Sequence, residues 1–294
     1  MTLMQIKPAR RIGREVDLQG NPDQNGGQSV GVKEGVVRTA LREDHGSALA
    51  VVASARPIIL ERRQLPEPCA HCGARGFSVC GAIADDELEP LAALAVVTEV
   101  DAGRTFIEEG DSAESFFNIT SGTAKLYKLL PDGRRQITGF AGPGHFLGLA
   151  VSSTYAFSAE AIDPVRFCRF SRPKLRKLLV AFPALERRLL DVAANELVAA
   201  QEQMLLLGRK TARERLASFL LMQTGHGTSC AGRGKRITLP MTRGDIADYL
   251  GLTIETVSRT LSRLRTERMI DIPNPSDVVI LNCTALEKLA GGLS

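Results

Sequence analysis

The sequence predicts an α+β protein: an antiparallel β-roll, a long helix suited to pairing with a second copy, and a C-terminal winged helix-turn-helix. Three observations carry this. Residues 239–270, LPMTRGDIADYLGLTIETVSRTLSRLRTERMI, read as two short capped helices parted by a glycine. From 103 to 170 apolar residues alternate and glycine-bearing turns recur. Between these stretches, from Pro183, apolar residues return in sevens.

In chain order, residues 1–66 show little periodicity, and 20–31 is rich in Gly, Asn, Gln and Asp. That composition predicts a flexible N-terminal extension. The more apolar stretch at 48–60 suits a strand or a docked segment. A sensor region is expected over 67–171, and it begins with CAHCGARGFSVC at 69–80. Cys69 and Cys72 form C-x2-C, and Cys80 follows after a seven-residue gap. Three thiolates so spaced wrap a metal ion or a cluster, with Gly73 and Gly76 letting the loop turn them inward. A fourth ligand must come from elsewhere. His71 points poorly for the same metal and reads as a neighbour or a solvent-facing residue.

A helix is expected over 85–97, with Leu88, Leu91, Leu94 and Ala95 inward and Pro90 in its first turn. The β-rich runs RTFIEEGD, ESFFNITSGTAKLYKLL, RRQITGFAGPGHFLGL, TYAFSAEAI and PVRFCRF then supply the roll. A separate all-β enzyme domain needs a catalytic set. None stands out: of four histidines in the chain, the β-region contributes only His145.

A dimerisation region is expected over 172–208. Leu190, Leu197 and Met204 share one heptad position; Ala193, Ala200 and Leu207 fall three residues later. Small residues in such a seam let helices approach closely. The last region, 209–294, opens with a helix over 209–222 and a glycine-rich loop over 224–235. In the helix-turn-helix, Thr242 caps the first helix, with Asp245 three residues on in a capping-box arrangement. Gly251 stops it, and Thr253 caps the second. Two short β-stretches flanking Pro273-Asn274-Pro275-Ser276 predict a wing, and 284–289 a final helix.

The second helix of the motif carries the functional expectation. Glu255, Ser258 and Arg259 lie at i, i+3 and i+4 and project together from its first turns, the part that reaches base edges in the major groove. Arg clasps guanine O6/N7, Glu accepts from cytosine N4–H, and Ser adapts to either. Arg263, Arg265 and Arg268 continue with phosphate-seeking charge. Thr242, Arg243, Thr253 and Thr256, at the two helix starts, complete the expected DNA-facing set.

Composition is compatible with this. A net charge of +4 in 294 residues permits nucleic-acid binding without requiring it. The absence of tryptophan argues against a single-strand binder that stacks bases. No apolar run reaches membrane-spanning length and no secretory signal is evident, so no membrane partner is expected. Six unevenly spaced cysteines do not look like a disulfide framework, and a reducing cytoplasm fits them better.

The order of parts resembles the CRP/FNR family of bacterial transcription regulators from about residue 69 to the C-terminus. LTIETVSRTLSRL resembles the recognition helix of the FNR and FixK branches. SGTAKLYKLLPDG with ITGFAGPGHFLGL resembles the roll, which in this family is a cyclic-nucleotide-binding-like jelly roll. MLLLGRKTARERLASFL resembles the end of the dimer helix and the helix after it. In the oxygen-sensing members, an N-terminal cysteine cluster and one distant roll cysteine hold a [4Fe–4S] cluster. The resemblance therefore implies Cys69, Cys72, Cys80 and Cys168 as cluster ligands, with zinc as the alternative, and leaves Cys230 and Cys283 as ordinary thiols. The seven-residue gap is longer than in some members.

The resemblance also implies a homodimer on double-stranded DNA at a palindrome with TTGAT-type half-sites. RNA polymerase is the implied partner, contacted through exposed loops such as 132–135. No cyclic nucleotide is expected. Where cyclic-AMP binders of the family carry a glutamate and an Arg-Ser pair, this chain reads Phe146-Leu147-Gly148-Leu149 and Thr154-Tyr155-Ala156-Phe157-Ser158-Ala159. An anionic ligand there lacks compensating charge. An iron–sulfur enzyme is the remaining alternative, and the C-x3-C-x2-C spacing of radical-SAM enzymes is absent.

Overall fold

The computed structural model describes residue 67 and residues 69–149, 152–224 and 234–292. The N-terminal extension, the apolar stretch at 48–60, and most of the glycine-rich loop with Cys230 lie outside the described residues.

The cysteine loop is a run of 3-10 turns, Cys69–His71, Arg75–Phe77 and Val79–Ala82, with a further one at Asp85–Glu87. The helix expected over 85–97 shrinks to one turn, α1 (Glu89–Ala92). Pro90 sits at its start, where a missing N–H costs nothing. Leu88 and Leu91 are buried as expected. The β-branched run Val96-Val97-Thr98 instead enters strand β1 (Ala95–Val100), because extended backbone suits those side chains and a partner strand is in place.

Seven more strands build the roll: β2 (Thr105–Ile107), β3 (Ser115–Ser121), β4 (Ala124–Leu129), β5 (Arg135–Ala141), β6 (Phe146–Leu147), β7 (Ser158–Ala161) and β8 (Val165–Ser171). They form two four-stranded antiparallel sheets, ordered β1-β8-β3-β6 and β2-β7-β4-β5. Alternation along β3 and β8 divides the core. Phe117, Ile119, Val165 and Phe167 face the roll interior, with Ile107, Ala124 and Ala159. Phe116, Cys168 and Phe170 face the other way and pack with the cysteine loop. The register pairs Phe116 with Phe170 and Asn118 with Cys168. A slip of one residue would send Cys168 into the roll interior. Gly122 turns β3 into β4 at φ +79°, and a Cβ there would lie 2.2 Å from the Pro164 carbonyl oxygen. Only glycine fits that close approach.

Three helices follow: α2 (Arg172–Ala181), α3 (Pro183–Arg209) and α4 (Ala212–Met222). A helix starting at Arg209 is not what forms. Arg209 closes α3, and Thr211 starts α4 in a full capping box with Glu214. The C-terminal part comprises β9 (Lys235–Thr238), α5 (Arg243–Leu250), α6 (Ile254–Thr266), β10 (Ile270–Asn274), β11 (Asp277–Ile280) and α7 (Cys283–Ala290). The wing gains a strand that the sequence reading did not assign, starting at the last residue of the expected loop: the sheet runs β10-β11-β9. Leu216, Phe219, Leu220, Ile246, Leu250, Val257, Leu261 and Leu264 fill the core beneath it.

Candidate functional site

Two sites and an exposed seam stand out. The first is a group of thiols on the outer face of the β1-β8-β3-β6 sheet. Cys80 and Cys168 are buried, Cys69 and Cys72 are half-buried, and all four are free thiols. The loop seats Cys80 through Ser78, whose hydroxyl accepts from the Cys80 backbone N–H at 3.2 Å. The sheet contributes Cys168, and beside it Asn118, only 1% exposed. The Asn118 Nδ2 donates toward the Cys80 sulfur at 3.8 Å.

The thiols lie close enough to resist each other's ionisation. Burial pushes Cys168 up to about 12, and negative charge on Cys80, Cys69 and Cys72 adds to that. Burial also pushes Cys80 up to about 11, against a lowering hydrogen bond from Ser78, with Cys69 and Cys72 again adding. Cys69 is raised by burial first and by Cys72 second, while Arg75 works against the rise. Four thiols gathered in this way, with burial holding the protons on Cys69, Cys80 and Cys168, want a cation among them. Arg75 is the cation at hand. Its side chain is anchored by the Ile83 carbonyl at 3.2 Å and by an ion pair with Asp85.

Among the described residues, no three His, Cys, Asp or Glu side chains converge as a single metal ion requires. His71 is exposed and pairs with Glu67 at 3.3 Å, away from any ligand role. The expectation that Cys283 is an ordinary thiol is corrected: it is disulfide-bonded.

The loop also touches the long helix. Cys80, Val79 and Ile83 share one apolar cluster with Leu185 and Leu189 of α3. The Arg188 guanidinium donates to the Phe77 carbonyl at 3.3 Å. Farther along α3, Leu190, Leu197 and Met204 are 63%, 61% and 64% exposed, and Ala193 and Ala200 are exposed with them. Leu207 differs from its five companions. It is half-buried against the core of the C-terminal part, so it is not a free seam position. Val198 and Leu205 are exposed apolar residues that the heptad reading missed.

The second site is the reading head, α5-turn-α6. Thr242 accepts from the Asp245 N–H, and the Asp245 carboxylate accepts from the Thr242 N–H at 3.0 Å. Gly251 adopts the left-handed conformation at φ +60°. Thr253 caps α6 by accepting from the Thr256 N–H at 3.2 Å. With Val257, Leu261 and Leu264 buried, Glu255, Ser258 and Arg259 are left exposed on the opposite face. The Glu255 carboxyl is held below its usual range, first by a backbone N–H at the helix start, then by Thr253 and the charge of Arg259.

The flanking arginines are more tied than the sequence suggested. Arg263 pairs with Glu267 at 2.9 Å, and Glu267 also pairs with Arg213. Arg265 pairs with Asp271 at 3.4 Å. Arg268 sits at φ +56° where α6 turns toward the wing. Arg243, half-buried at the start of α5, donates to Pro275 of the wing turn at 3.4 Å and keeps its Nη1 unpaired. In the 132–135 loop, Arg135 is not a free surface group but pairs with Asp248 of α5 at 2.8 Å. The sequence reading passed over Arg75 and Asn118. Arg75 was findable, being a cation inside the cysteine run; Asn118 left no signal.

A roll followed by a long helix and a winged helix-turn-helix whose second helix exposes a Glu-Ser-Arg face defines a class, and sequence comparison agrees with it. Residues 97–181 match the cyclic nucleotide-binding domain and residues 214–289 the Crp-like helix-turn-helix domain. The chain belongs to the CRP/FNR family of transcription regulators, whose members here are regulators and not enzymes. It is similar to the transcriptional activatory protein AadR of Rhodopseudomonas palustris, 43% identical over 220 residues that cover 75% of this chain and 92% of that one. It is also similar to the transcriptional activator FnrL of Cereibacter sphaeroides, 35% identical across 80% of this chain and 94% of that protein. Among solved structures, FixK2 from Bradyrhizobium japonicum matches with a TM-score of 0.62 and 38% identity, covering 66% of this chain and 96% of that one. No helix among the described residues is long and apolar enough to cross a membrane.

Proposed function

We propose that this regulator senses oxygen through a [4Fe–4S] cluster on Cys69, Cys72, Cys80 and Cys168, and that its homodimer binds a palindrome with TTGAT-type half-sites. The observation that carries the reading is the meeting of four free thiols, three from one loop and one from a distant strand, against the start of α3. The donor set fits the group: four free thiols, three from the loop and one from β8, of which the buried Cys80 and Cys168 keep their protons unless a cation is present. When bound, the cluster supplies an oxygen-reactive centre.

The chain's own residues do the rest. Cys69, Cys72 and Cys80, tied to Cys168, hold the loop on β8. Val79, Cys80 and Ile83 then pack on Leu185 and Leu189, and Phe77 receives Arg188. This fixes the first turns of α3, and with them the exposed stripe from Leu190 to Met204 that a second copy covers. Two α6 helices are thereby set about one DNA turn apart, with Arg259 on guanine. Releasing the thiols frees the loop, loosens α3 and lowers DNA affinity. The roll interior is filled by the stacked pair Phe106 and Phe167 and by Phe117. That filling supports a regulator that takes no cyclic nucleotide. RNA polymerase is the proposed partner at the promoter, and the cytoplasm the proposed location.

Anaerobic purification tests the reading. A brown protein with about four iron and about four sulfide per protomer is expected. Colourless protein carrying zinc, or no metal, overturns the cluster and leaves a regulator of the same fold under another signal.

A further inference from the structure

We infer that the β4–β5 hairpin of the roll is the joint that sets the orientation of the reading head, with Lys125, Arg135 and Gln136 as its positioning residues. The hairpin faces α5, the helix that does not read bases but carries the one that does. Asp245 of α5 is 4% exposed and Lys125 is 8% exposed. Asp245 Oδ1 accepts from Lys125 Nζ at 3.2 Å and from Arg135 Nη2 at 3.1 Å. Its other oxygen is occupied by Thr242, at the cap of the same helix. Arg135 also reaches Asp248 through Nε at 3.0 Å and Nη2 at 2.8 Å. Gln136 Nε2 donates to the Asp248 carbonyl at 2.7 Å.

Packing follows the charges. Ile137 is fully buried, and its neighbours are the core of the C-terminal part, not that of the roll. The Phe140 ring lies 5.4 Å from that of Tyr249 in α5. β5 is the edge of its sheet, so the roll itself does not require these contacts. From the other side, Gln203 of α3 donates to the Tyr249 carbonyl at 2.9 Å. Arg215 bridges the carbonyls of Leu207 and Leu250, both at 2.8 Å.

Buried ion pairs add little net stability, because desolvation offsets their attraction. They are intolerant of misalignment, since moving α5 off the hairpin takes Lys125 and Arg135 away from a buried carboxylate that keeps only Thr242 of its own helix. α5 is therefore held in one pose between hairpin and α3. In a dimer that pose fixes the distance between two α6 helices, and so the half-site spacing that binds.

The test uses the full chain and operators whose two half-sites are identical but set apart by spacers of different lengths. Arg135→Glu, Asp248→Arg and the double exchange are compared with wild type, in the oxygen condition that gives wild type its tighter binding. Thermal melting is followed in parallel. Wild type is expected to prefer one spacing. Each single variant should lose about tenfold or more in affinity at that spacing and flatten the preference. The double exchange should regain at least about threefold of both losses over either single variant, because the 135–248 pair is re-formed with its charges reversed, but not all of them, because the carboxylate then at position 135 faces Asp245. Single variants that keep the wild-type spacing preference, whether or not their melting falls, overturn the proposal. So does a double exchange that rescues melting but not the spacing preference.

Discussion

Leu197→Glu isolates the exposed seam of α3. Leu197 is 61% exposed in the single chain, so the protomer has little to lose when it is replaced. Leucine and glutamate are both good helix formers, and the helix itself should change by less than about 0.5 kcal/mol. Full burial of a leucine is worth about 1.5–3 kcal/mol. The exposed 61% leaves about 1–2 kcal/mol per protomer to be gained on pairing, or about 2–4 kcal/mol per dimer. At about 1.4 kcal/mol per tenfold, the dimer dissociation constant should rise roughly 30- to 700-fold. Two facing carboxylates in the seam push it further. Sedimentation velocity across a dilution series reads the dissociation constant, and melting checks the fold. A folded variant that still sediments as a dimer and binds its palindrome normally would refute the seam. A variant that unfolds would show that Leu197 packs within its own protomer.

Cys168→Ser should abolish cluster binding while leaving the roll folded, read as lost visible absorbance and iron in protein purified anaerobically; retained iron would remove Cys168 from the ligand set. Arg259→Ala should cost on the order of 1–3 kcal/mol per half-site, concentrated at one base position of a single-base operator panel, and a uniform loss would make it a phosphate clamp instead. Arg263 has only an exposed pair with Glu267 to give up, worth about 0.3–0.5 kcal/mol, so it can turn to phosphate; Arg263→Ala should weaken all operators alike and flatten the salt slope. Gly122→Ala should destabilise the roll by at least about 1–2 kcal/mol from the left-handed backbone alone, with the Pro164 clash added, visible as a lower melting temperature. Burial works to raise the Asp245 carboxyl, but Thr242 and Lys125 outweigh it and hold the group below its usual range. Its contribution is therefore present above the unfolded carboxylate value of about 3.9 and lost as pH falls through the lower folded value. The melting difference between wild type and Asp245→Asn should close over that acid range.

The local parts of this protein were legible because each is fixed by a few neighbouring residues. Thr242, Asp245, Gly251 and Thr253 specify the reading head by caps and a left-handed turn, and those interactions span no more than four residues. The alternation through 103–170 specified the roll strands for the same reason. Where a local signal met a nonlocal partner, the partner won. Val96 and Val97 left the expected helix because β8 lay ready to pair with them. Lys235–Thr238, which begins at the last residue of the expected loop and was otherwise given no element, became the third wing strand beside β11. Leu207 left the seam because the reading-head core was within reach.

At the thiol site the sequence alone singled out Cys69, Cys72 and Cys80 by spacing. Cys168 came only from the family resemblance, since nothing in VRFCRF marks it as a ligand. Tertiary structure decided that the β8 register turns Cys168 outward beside Asn118, toward the loop. It also decided that Asp245, a capping residue by sequence, is at the same time the buried partner of Lys125 and Arg135. Capping is written within one turn of helix. An ion pair between residues more than a hundred positions apart exists only once the sheet and the helix have been brought face to face.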